Sequence, residues 1–271
     1  MNSGGTLSAY AALVEGVLAF HTPYLVSLAL AYARIAPVWL LVPFLGDKMF
    51  GGLLVRNAVI MLVLAGMWPV LDFAPAVALE GPGGFWPFAG LALREAVIGS
   101  VLGCVLALPL WICSGVGELI DNQRGATISD VFDPSNGIEA SAMAAFLSLF
   151  SSAAFLANDG MRVVLEALRD SYQSIGVGAG FDIDWLACGR LLDRLVREAL
   201  QLSGPVIAAM FITEALLGVL SRFAQQLNPF SLAFAVKSLV AFIVFYVYFG
   251  AEIGRWLVAL PAVSLPLVPT R

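Results

Sequence analysis

The chain has 271 residues, of which 60% are hydrophobic and 12% are charged, and its mean hydropathy is +0.91. Soluble domains are about 45–50% apolar and about 25% charged, so this composition excludes an ordinary soluble protein and indicates an integral membrane protein. The net charge of −5 argues against a nucleic-acid partner, and three cysteines without a CxxC pair suggest neither a disulfide framework nor a zinc site.

The apolar segments predict α-helices rather than the strands of a barrel. A backbone inside a bilayer must satisfy its hydrogen bonds in a helix or a closed barrel, and the sequence lacks the alternating ten-residue segments of a barrel. About six to eight apolar segments fit in the chain, which leaves no room for a sizeable soluble domain. We expect one all-α, polytopic membrane domain of helical hairpins over residues 1–271, with an N-terminal part to residue 200 and a C-terminal hairpin over 201–271.

The first part of the chain predicts helices interrupted by proline. Residues 7–20 and 24–45 are apolar, and Pro37 and Pro43 predict kinks or a break in the second run. No Lys or Arg precedes Arg34, so the basic region of a cleavable signal peptide is missing and we expect a mature N-terminus.

The apolar run 96–116 contains two glycines one helical turn apart. Gly99 and Gly103 form a GxxxG motif. Because these positions carry no side chain, the backbone of a second helix can approach them closely. We therefore expect helix packing against this face.

The stretch from Gly117 to Gly137 is polar, although the runs 96–116 and 140–158 on either side contain no charged residue. Its charged residues are Glu118, Asp121, Arg124, Asp130 and Asp133. The sequence Asp-Pro-Ser-Asn-Gly at 133–137 is a strong turn signal. The pattern predicts the polar tip of a helical hairpin, which is either a loop in water or a polar device held inside a cavity.

A second polar region, at 159–198, carries five of the fourteen basic residues. They are Arg162, Arg169, Arg190, Arg194 and Arg197. The positive-inside rule places this region on the cytoplasmic side, with the polar tip pointing away from the cytoplasm. Asp193 and Arg197 are four residues apart and are expected to pair on a solvated helix.

Charged residues also interrupt the apolar runs themselves. They are Arg34, Arg94, Glu95, Glu214, Lys237 and Glu252. A charge at the centre of a lone spanning helix costs about 2.5–3.5 kcal/mol, so such side chains normally face protein or water. We expect these helices to have protein neighbours, and a chain this short is not expected to surround all of the charges itself.

Five motifs together resemble one known family. They are Arg94-Glu-Ala-Val-Ile-Gly-Ser-Val-Leu-Gly103, Gly117-Glu-Leu-Ile-Asp-Asn-Gln-Arg-Gly125, Asp133-Pro134, Leu217-Gly-Val-Leu-Ser-Arg-Phe-Ala-Gln-Gln-Leu-Asn228 and Lys237-Ser238. In this order they resemble the T subunits of the type III secretion export apparatus (SctT, also called YscT, SpaR or HrcT), which are related to flagellar FliR. The sequence Asn-Gln-Arg-Gly is more similar to the virulence branch of this family than to the flagellar branch.

The resemblance implies a multi-pass protein of the bacterial inner membrane that passes unfolded secreted proteins. It implies one copy in a helical export gate, together with several copies of the small subunits SctR and SctS and with the gate subunit SctU. It further implies that the assembled gate lies largely out of the bilayer plane. It implies no cofactor and no enzymatic activity of the chain.

The family likeness would make 117–137 a plug in the closed pore, with its glycines as hinges. The plug residues would be Gly117, Glu118, Asp121, Asn122, Gln123, Arg124, Gly125, Asp133, Pro134 and Gly137. The partner interface would use Arg222, Gln225, Gln226, Asn228 and Lys237 of the C-terminal hairpin.

Three other interpretations stay open. The polar stretch is a plain hairpin turn if its acids only remain in water. A secondary transporter of a small solute or ion would place acids such as Glu118, Asp121 or Glu214 at a midplane site, but the sequence shows no internal repeat. A membrane enzyme would have to rely on an isolated acid pair, because the chain has one histidine and no HExxH, GxSxG or Walker-type motif.

Overall fold

The computed structural model describes residues 24–46, 52–67, 85–125, 141–177, 181–223, 229–258 and 267–269. The helices, in chain order, are α1 (Tyr24–Leu41), α2 (Leu53–Met67), α3 (Phe85–Arg124), α4 (Ala142–Ala157), α5 (Gly160–Ser174), α6 (Trp185–Phe223) and α7 (Pro229–Val258). Two three-residue strands, β1 (Phe181–Ile183) and β2 (Leu267–Pro269), pair antiparallel with Asp182 opposite Val268. The predicted all-α polytopic fold is confirmed.

Four helices are long and apolar enough to cross a membrane. They are α1, the Trp86–Arg124 part of α3, α6, and the Leu232–Phe249 part of α7. Helices α4 and α5 pass the same test only as one span broken at Asn158 and Asp159. The described part of the chain thus holds four or five candidate spans, fewer than the six to eight predicted apolar segments. The predicted run 7–20 lies outside the described residues, and α2, with 15 residues, is shorter than a span.

Three helices continue through proline. Pro37 lies inside α1, Pro109 inside α3 and Pro205 inside α6. Of the two prolines predicted to cause kinks or a break, Pro37 leaves α1 uninterrupted, whereas α1 ends at Leu41 just before Pro43 and a 3₁₀ turn over Pro43–Leu45 follows. A proline removes one helical hydrogen bond, whereas ending a helix inside an apolar environment leaves four N–H and four C=O groups without partners.

Contacts divide the chain into two compact units. The first contains α1, α2, the part of α3 up to Leu106, and residues 164–184. The second contains α3 from Ala107 onward, α4, and residues 185–264 with α6 and α7. The predicted C-terminal hairpin corresponds to α6 and α7, and its first helix begins at Trp185 rather than near residue 201.

In the first unit, the two glycines of the GxxxG motif lie against α1. A Cβ atom on Gly99 would overlap the carbonyl oxygen of Arg34, and a Cβ on Gly103 would lie 3.1 Å from Cα of Val38. The predicted close approach of a second helix is confirmed. Glycine is required at Gly99 because the atom it would meet belongs to the backbone, which cannot swing aside.

The same contact aligns a buried ion pair between α1 and α3. Nε of Arg34 donates to Oε2 of Glu95 at 2.6 Å, and both side chains are fully buried. A buried charge without a counter-charge is very costly, so each of these side chains depends on the other. The ion pair therefore fixes the register of α1 against α3.

Arg34 also binds the C-terminal end of α5. Its Nη1 atom donates to the carbonyl oxygens of Ser171 (3.0 Å) and Ile175 (2.9 Å) and to Oγ of Ser171 (3.1 Å). Its guanidinium lies 4.4 Å from the ring centroid of Tyr172, whose hydroxyl donates to the carbonyl oxygen of Ala31. The carbonyl oxygen of Ser171 also accepts from the N–H of Ile175, so Arg34 supplies a second donor there, and its positive charge suits the negative end of the helix dipole.

The described residues agree with the expectation about intramembrane charges, because the chain buries Arg34 and Glu95 and leaves Arg94 and Glu214 exposed. Arg34 and Glu95 do face protein, as expected for charges in apolar helices. The chain itself encloses this ion pair, without a second subunit. Outside the apolar runs, the predicted exposed pair of Asp193 and Arg197 is confirmed at 2.7 Å.

Substituting Gly99 by alanine is expected to destabilise the first unit, because α1 must move away from α3 and loosen the Arg34–Glu95 pair. Gly90→Ala is the matched control, since a Cβ at this position of the same helix meets nothing within 4 Å. Alanine is also the better helix former by about 1 kcal/mol, so Gly90→Ala should leave stability unchanged or raise it. Thermal unfolding measures the stability of both purified variants. Equal melting temperatures for Gly99→Ala and Gly90→Ala would contradict the packing role of Gly99.

The second unit is built around the second half of α3. Its buried core residues come from α3, α4, α6 and α7: Leu108, Ile112, Cys113, Val116, Ile120, Met143, Leu147, Ala199, Leu202, Val206, Met210, Ala241 and Phe249. Many large apolar side chains of α6 and α7 outside this core are exposed, including Phe211, Leu216, Phe242 and Val247. Such faces suit lipid or a further protein.

Candidate functional site

The first eight residues of the polar stretch are helical. Helix α3 runs to Arg124, and Gly125 follows it with a φ of 82° and donates its N–H to the carbonyl oxygen of Asn122 at 3.1 Å. The predicted hairpin tip therefore begins at Gly125 and not at Gly117. The physical reason is that Ile120 is fully buried in the core of the second unit, one helical turn after buried Val116, so packing extends the helix into the polar sequence.

Asp121 joins the end of α3 to the beginning of α4. Its Oδ2 accepts hydrogen bonds from the hydroxyl of Ser141 and, at 2.9 Å, from the backbone N–H of Met143. Ser141 is the N-cap of α4, and its Oγ accepts from the N–H of Ala144 at 3.1 Å. The fully buried carboxylate thus sits at the positive end of the α4 dipole and satisfies a donor that has no partner within the helix.

Gly117 brings the same two helices into backbone contact. A Cβ at this position would overlap the backbone N and Cα atoms of Ala144. Gly117 is buried and helical, so it is a packing position rather than the hinge that the sequence suggested. Among the predicted hinge glycines within the described residues, Gly125 is the one with left-handed backbone geometry, which favours glycine.

Arg124 completes this cluster on the side of α7. Its Nε lies 2.7 Å from Oδ1 of Asp121, and its guanidinium carbon lies 5.7 Å from the ring centroid of Phe242. An apolar groove of about 490 Å³ opens beside it, lined by Arg124, Ala142, Met143, Phe146, Phe242, Phe245 and Tyr246. We call Gly117, Asp121, Arg124, Ser141 and Met143 the loop base.

Among the described residues, Glu118, Asn122 and Gln123 do not belong to the loop base. Glu118 and Asn122 are exposed, and Gln123 is half-buried. Asp133, Pro134 and Gly137 lie outside the described residues. Sequence reasoning did not give Ser141 or Met143 a role, although a serine directly before an apolar run is a recognised helix-start signal that identifies Ser141.

The predicted partner-interface residues fall on α6 and α7 or between them. Arg222 is exposed near the end of α6, and Gln225, Gln226 and Asn228 lie outside the described residues. Nζ of Lys237 lies 2.7 Å from Oε2 of Glu214, so the buried lysine has a counter-charge within the chain. The carboxylate side of this pair is more than half exposed, whereas the lysine is almost covered.

The loop base is suited to holding a segment in place. In the described part of the chain, no three His, Cys, Asp or Glu side chains come together as metal ligands would. Asp121 is contacted by three groups at once, namely the hydroxyl of Ser141, the N–H of Met143 and the guanidinium of Arg124. The cluster therefore brings together the end of α3 and the beginning of α4.

The chain matches a described protein family over most of its length. The model of bacterial export proteins, family 1, matches residues 25–260. The surface presentation of antigens protein SpaR of Salmonella typhimurium is 38% identical over 240 residues, covering 86% of this chain and 87% of that protein. The secretion system apparatus protein SsaT of the same organism is 30% identical over 238 residues, covering 87% of this chain and 91% of that protein.

The flagellar branch is more distant. The flagellar biosynthetic protein FliR of Bacillus subtilis is 27% identical over 162 residues, covering 58% of this chain and 62% of that protein. The resemblance suggested by the sequence motifs is confirmed. Spans made of α-helices rather than barrel strands belong to the inner membrane of a bacterium. The chain therefore belongs to family 1 of the bacterial export proteins and is a multi-pass helical protein of the inner membrane.

Proposed function

We propose that the chain is a pore-forming core subunit of a type III protein secretion export gate. In this role it passes unfolded proteins across the inner membrane in a complex with the small subunits SctR and SctS and the gate subunit SctU. The names of the relatives support this, because SsaT is named a secretion system apparatus protein. Yersinia pestis has a relative, 26% identical over 230 residues, named Yop proteins translocation protein T.

We further propose that the polar stretch 117–137 is the plug of the closed pore. The observation that carries this proposal is the loop base, where Asp121 binds both the N-cap hydroxyl and an N–H of α4. A segment that seals a pore has to keep both of its ends in place while its middle is displaced. Gly117 against Ala144 and Asp121 against Ser141 hold the two ends together.

The energetics of such a plug are modest. A free loop loses conformational entropy when its ends are brought together. Because the loop base already holds the two ends together, this entropy is not lost each time the plug closes. A change of about 1 kcal/mol alters an open population about fivefold, so a few polar contacts suffice to balance sealing against opening. Opening is then driven by the arriving substrate protein rather than by chemistry at the loop base.

The proposed plug is tested by shortening the loop while leaving its base intact. Deleting residues 128–136 keeps Gly125 and Ser141, and we expect higher ion permeability of the inner membrane without loss of the assembled complex. A variant with the same residues replaced by an equally long glycine-serine segment is the matched control for length. Permeability equal to wild type in an assembled deletion variant contradicts the plug.

The proposed partner interface lies on the C-terminal hairpin and comprises Arg222, Gln225, Gln226, Asn228 and Lys237. The exposed side of the Glu214–Lys237 pair supports it, because a carboxylate within an apolar span requires a polar or protein environment. Native mass spectrometry of the chain co-expressed with SctR and SctS tests the assembly. One copy of this chain with several copies of each partner is expected, and a monomer or homodimer that ignores both contradicts the export-gate proposal.

A further inference from the structure

The apolar groove beside Arg124 is lined by four aromatic side chains. They are Phe146 of α4 and Phe242, Phe245 and Tyr246 of α7. Three of them are more than half exposed, with 53% for Phe146, 51% for Phe242 and 82% for Tyr246. Aromatic side chains bury a large apolar area when they are covered, so the groove favours an occupant with a bulky apolar side chain.

Arg124 is the one charged side chain among the described residues that line this groove. Its guanidinium carbon lies 5.7 Å from the ring centroid of Phe242, and its Nε faces Asp121. A guanidinium carries five N–H donors, so a contact through Nε leaves donors for a second carboxylate. An occupant that combines an apolar side chain with an acid therefore matches the groove in shape and in charge.

The chain carries such a sequence between the two edges of the groove. Helix α3 ends at Arg124 and α4 begins at Ala142, and both of these residues line the groove. The residues between Gly125 and Ser141 lie outside the described part of the chain. Their sequence contains three acids and no Lys or Arg. Their large apolar residues are Ile128, Val131, Phe132 and Ile138.

We propose that Phe132, together with its neighbouring acids, docks into this groove. Asp130 and Asp133 flank Phe132 in sequence, so a ring seated in the groove brings a carboxylate toward Arg124. The chain from Gly125 to Phe132 reaches up to about 25 Å, which is ample for a groove that begins at Arg124. A lipid or a second copy has to arrive from solution, whereas a short tether gives an effective concentration of about millimolar. The inference concerns the isolated chain and does not rest on the export-gate function.

Photo-cross-linking from position 132 tests the docking. Phe132 is replaced by the photoreactive analogue p-benzoyl-phenylalanine in the full chain, which is purified in detergent, irradiated and mapped by peptide mass spectrometry. We expect the cross-link on groove residues of the same chain, such as Met143, Phe242 or Tyr246. A cross-link only to other parts of the chain, or only to detergent or lipid, overturns the proposal. A covalent dimer joined through the groove also overturns it, by assigning the groove to a second copy.

Phe146→Asp and Leu149→Asp form a matched pair of variants for the groove. Both place a carboxylate on α4 at similarly exposed positions, and of the two only Phe146 lines the groove. We expect Phe146→Asp to lower the cross-linking yield tenfold or more, because its charge repels the acids beside Phe132, with Leu149→Asp cross-linking as the parent does. Equal yields in the two variants overturn the proposal. The mapping in the parent chain stands even if either variant fails to fold.

Discussion

Replacing Arg34 by methionine is expected to destabilise the first unit severely. The substitution leaves the carboxylate of Glu95 buried without its counter-charge and removes the donors that satisfy the carbonyl oxygens of Ser171 and Ile175. Breaking a buried ion pair by removing one partner costs about 3–5 kcal/mol. We expect a large drop in the melting temperature of the purified protein and low recovery from membranes, measured by tryptophan fluorescence on heating in detergent.

Two further variants identify the cause of that loss. Arg194→Met removes an arginine from a partly exposed pair with Glu198 and is expected to cost at most about 0.5 kcal/mol. The double variant Arg34→Met with Glu95→Met leaves no unpaired charge, so it should recover part of the stability. If Arg34→Met and Arg194→Met have equal melting temperatures, the contacts of Arg34 with α3 and α5 do not stabilise the first unit as proposed.

Removing the carboxylate of Asp121 is expected to loosen the loop base. Asp121→Ala deprives the hydroxyl of Ser141 and the N–H of Met143 of their acceptor and leaves Arg124 without its counter-charge. Hydrogen bonds to charged groups contribute about 1.5–3 kcal/mol, so a loss of about 2–3 kcal/mol raises the open population of the base about 30- to 150-fold. Hydrogen exchange at the first amides of α4 should accelerate by this factor.

Glu118→Ala is the matched control for Asp121→Ala. It removes one carboxylate from the same helix three residues earlier, where the side chain is exposed. Exchange at the amides of α4 should be unchanged in this variant, and equal acceleration in both would contradict the specific role of Asp121. If 117–137 is the plug, Asp121→Ala also increases ion leakage through the assembled gate.

The sequence predicted the parts of the fold that depend on local pattern. Long apolar runs gave helices and a membrane location, because each such segment must satisfy its backbone hydrogen bonds within itself. Gly99 and Gly103 predicted close helix packing, since a GxxxG face permits it whichever helix is the neighbour. The exposed Asp193–Arg197 pair was also predictable, because residues four apart on one helix lie next to each other.

Predictions of where helices end were less successful. They rely on polar residues in the sequence and do not include the tertiary contacts that those residues make. The sequence predicted residues 117–124 as part of a polar hairpin tip. They are helical and belong to α3, because Ile120 is buried in the core of the second unit. The sequence predicted kinks or a break at Pro37, yet α1 continues through this residue. In each case tertiary packing outweighs a local signal of about 1–3 kcal/mol.

By itself, the sequence determined the class of this protein: an all-helical chain of the inner membrane that belongs to a bacterial export family, with a polar stretch flanked in sequence by apolar runs. Only the tertiary structure decided which charges meet. Glu95 is 61 residues from Arg34, and Ser141 is 20 residues from Asp121. Hydrophobic periodicity is a property of neighbouring residues and can be read from the chain, whereas the partner of a buried charge depends on which helices pack together.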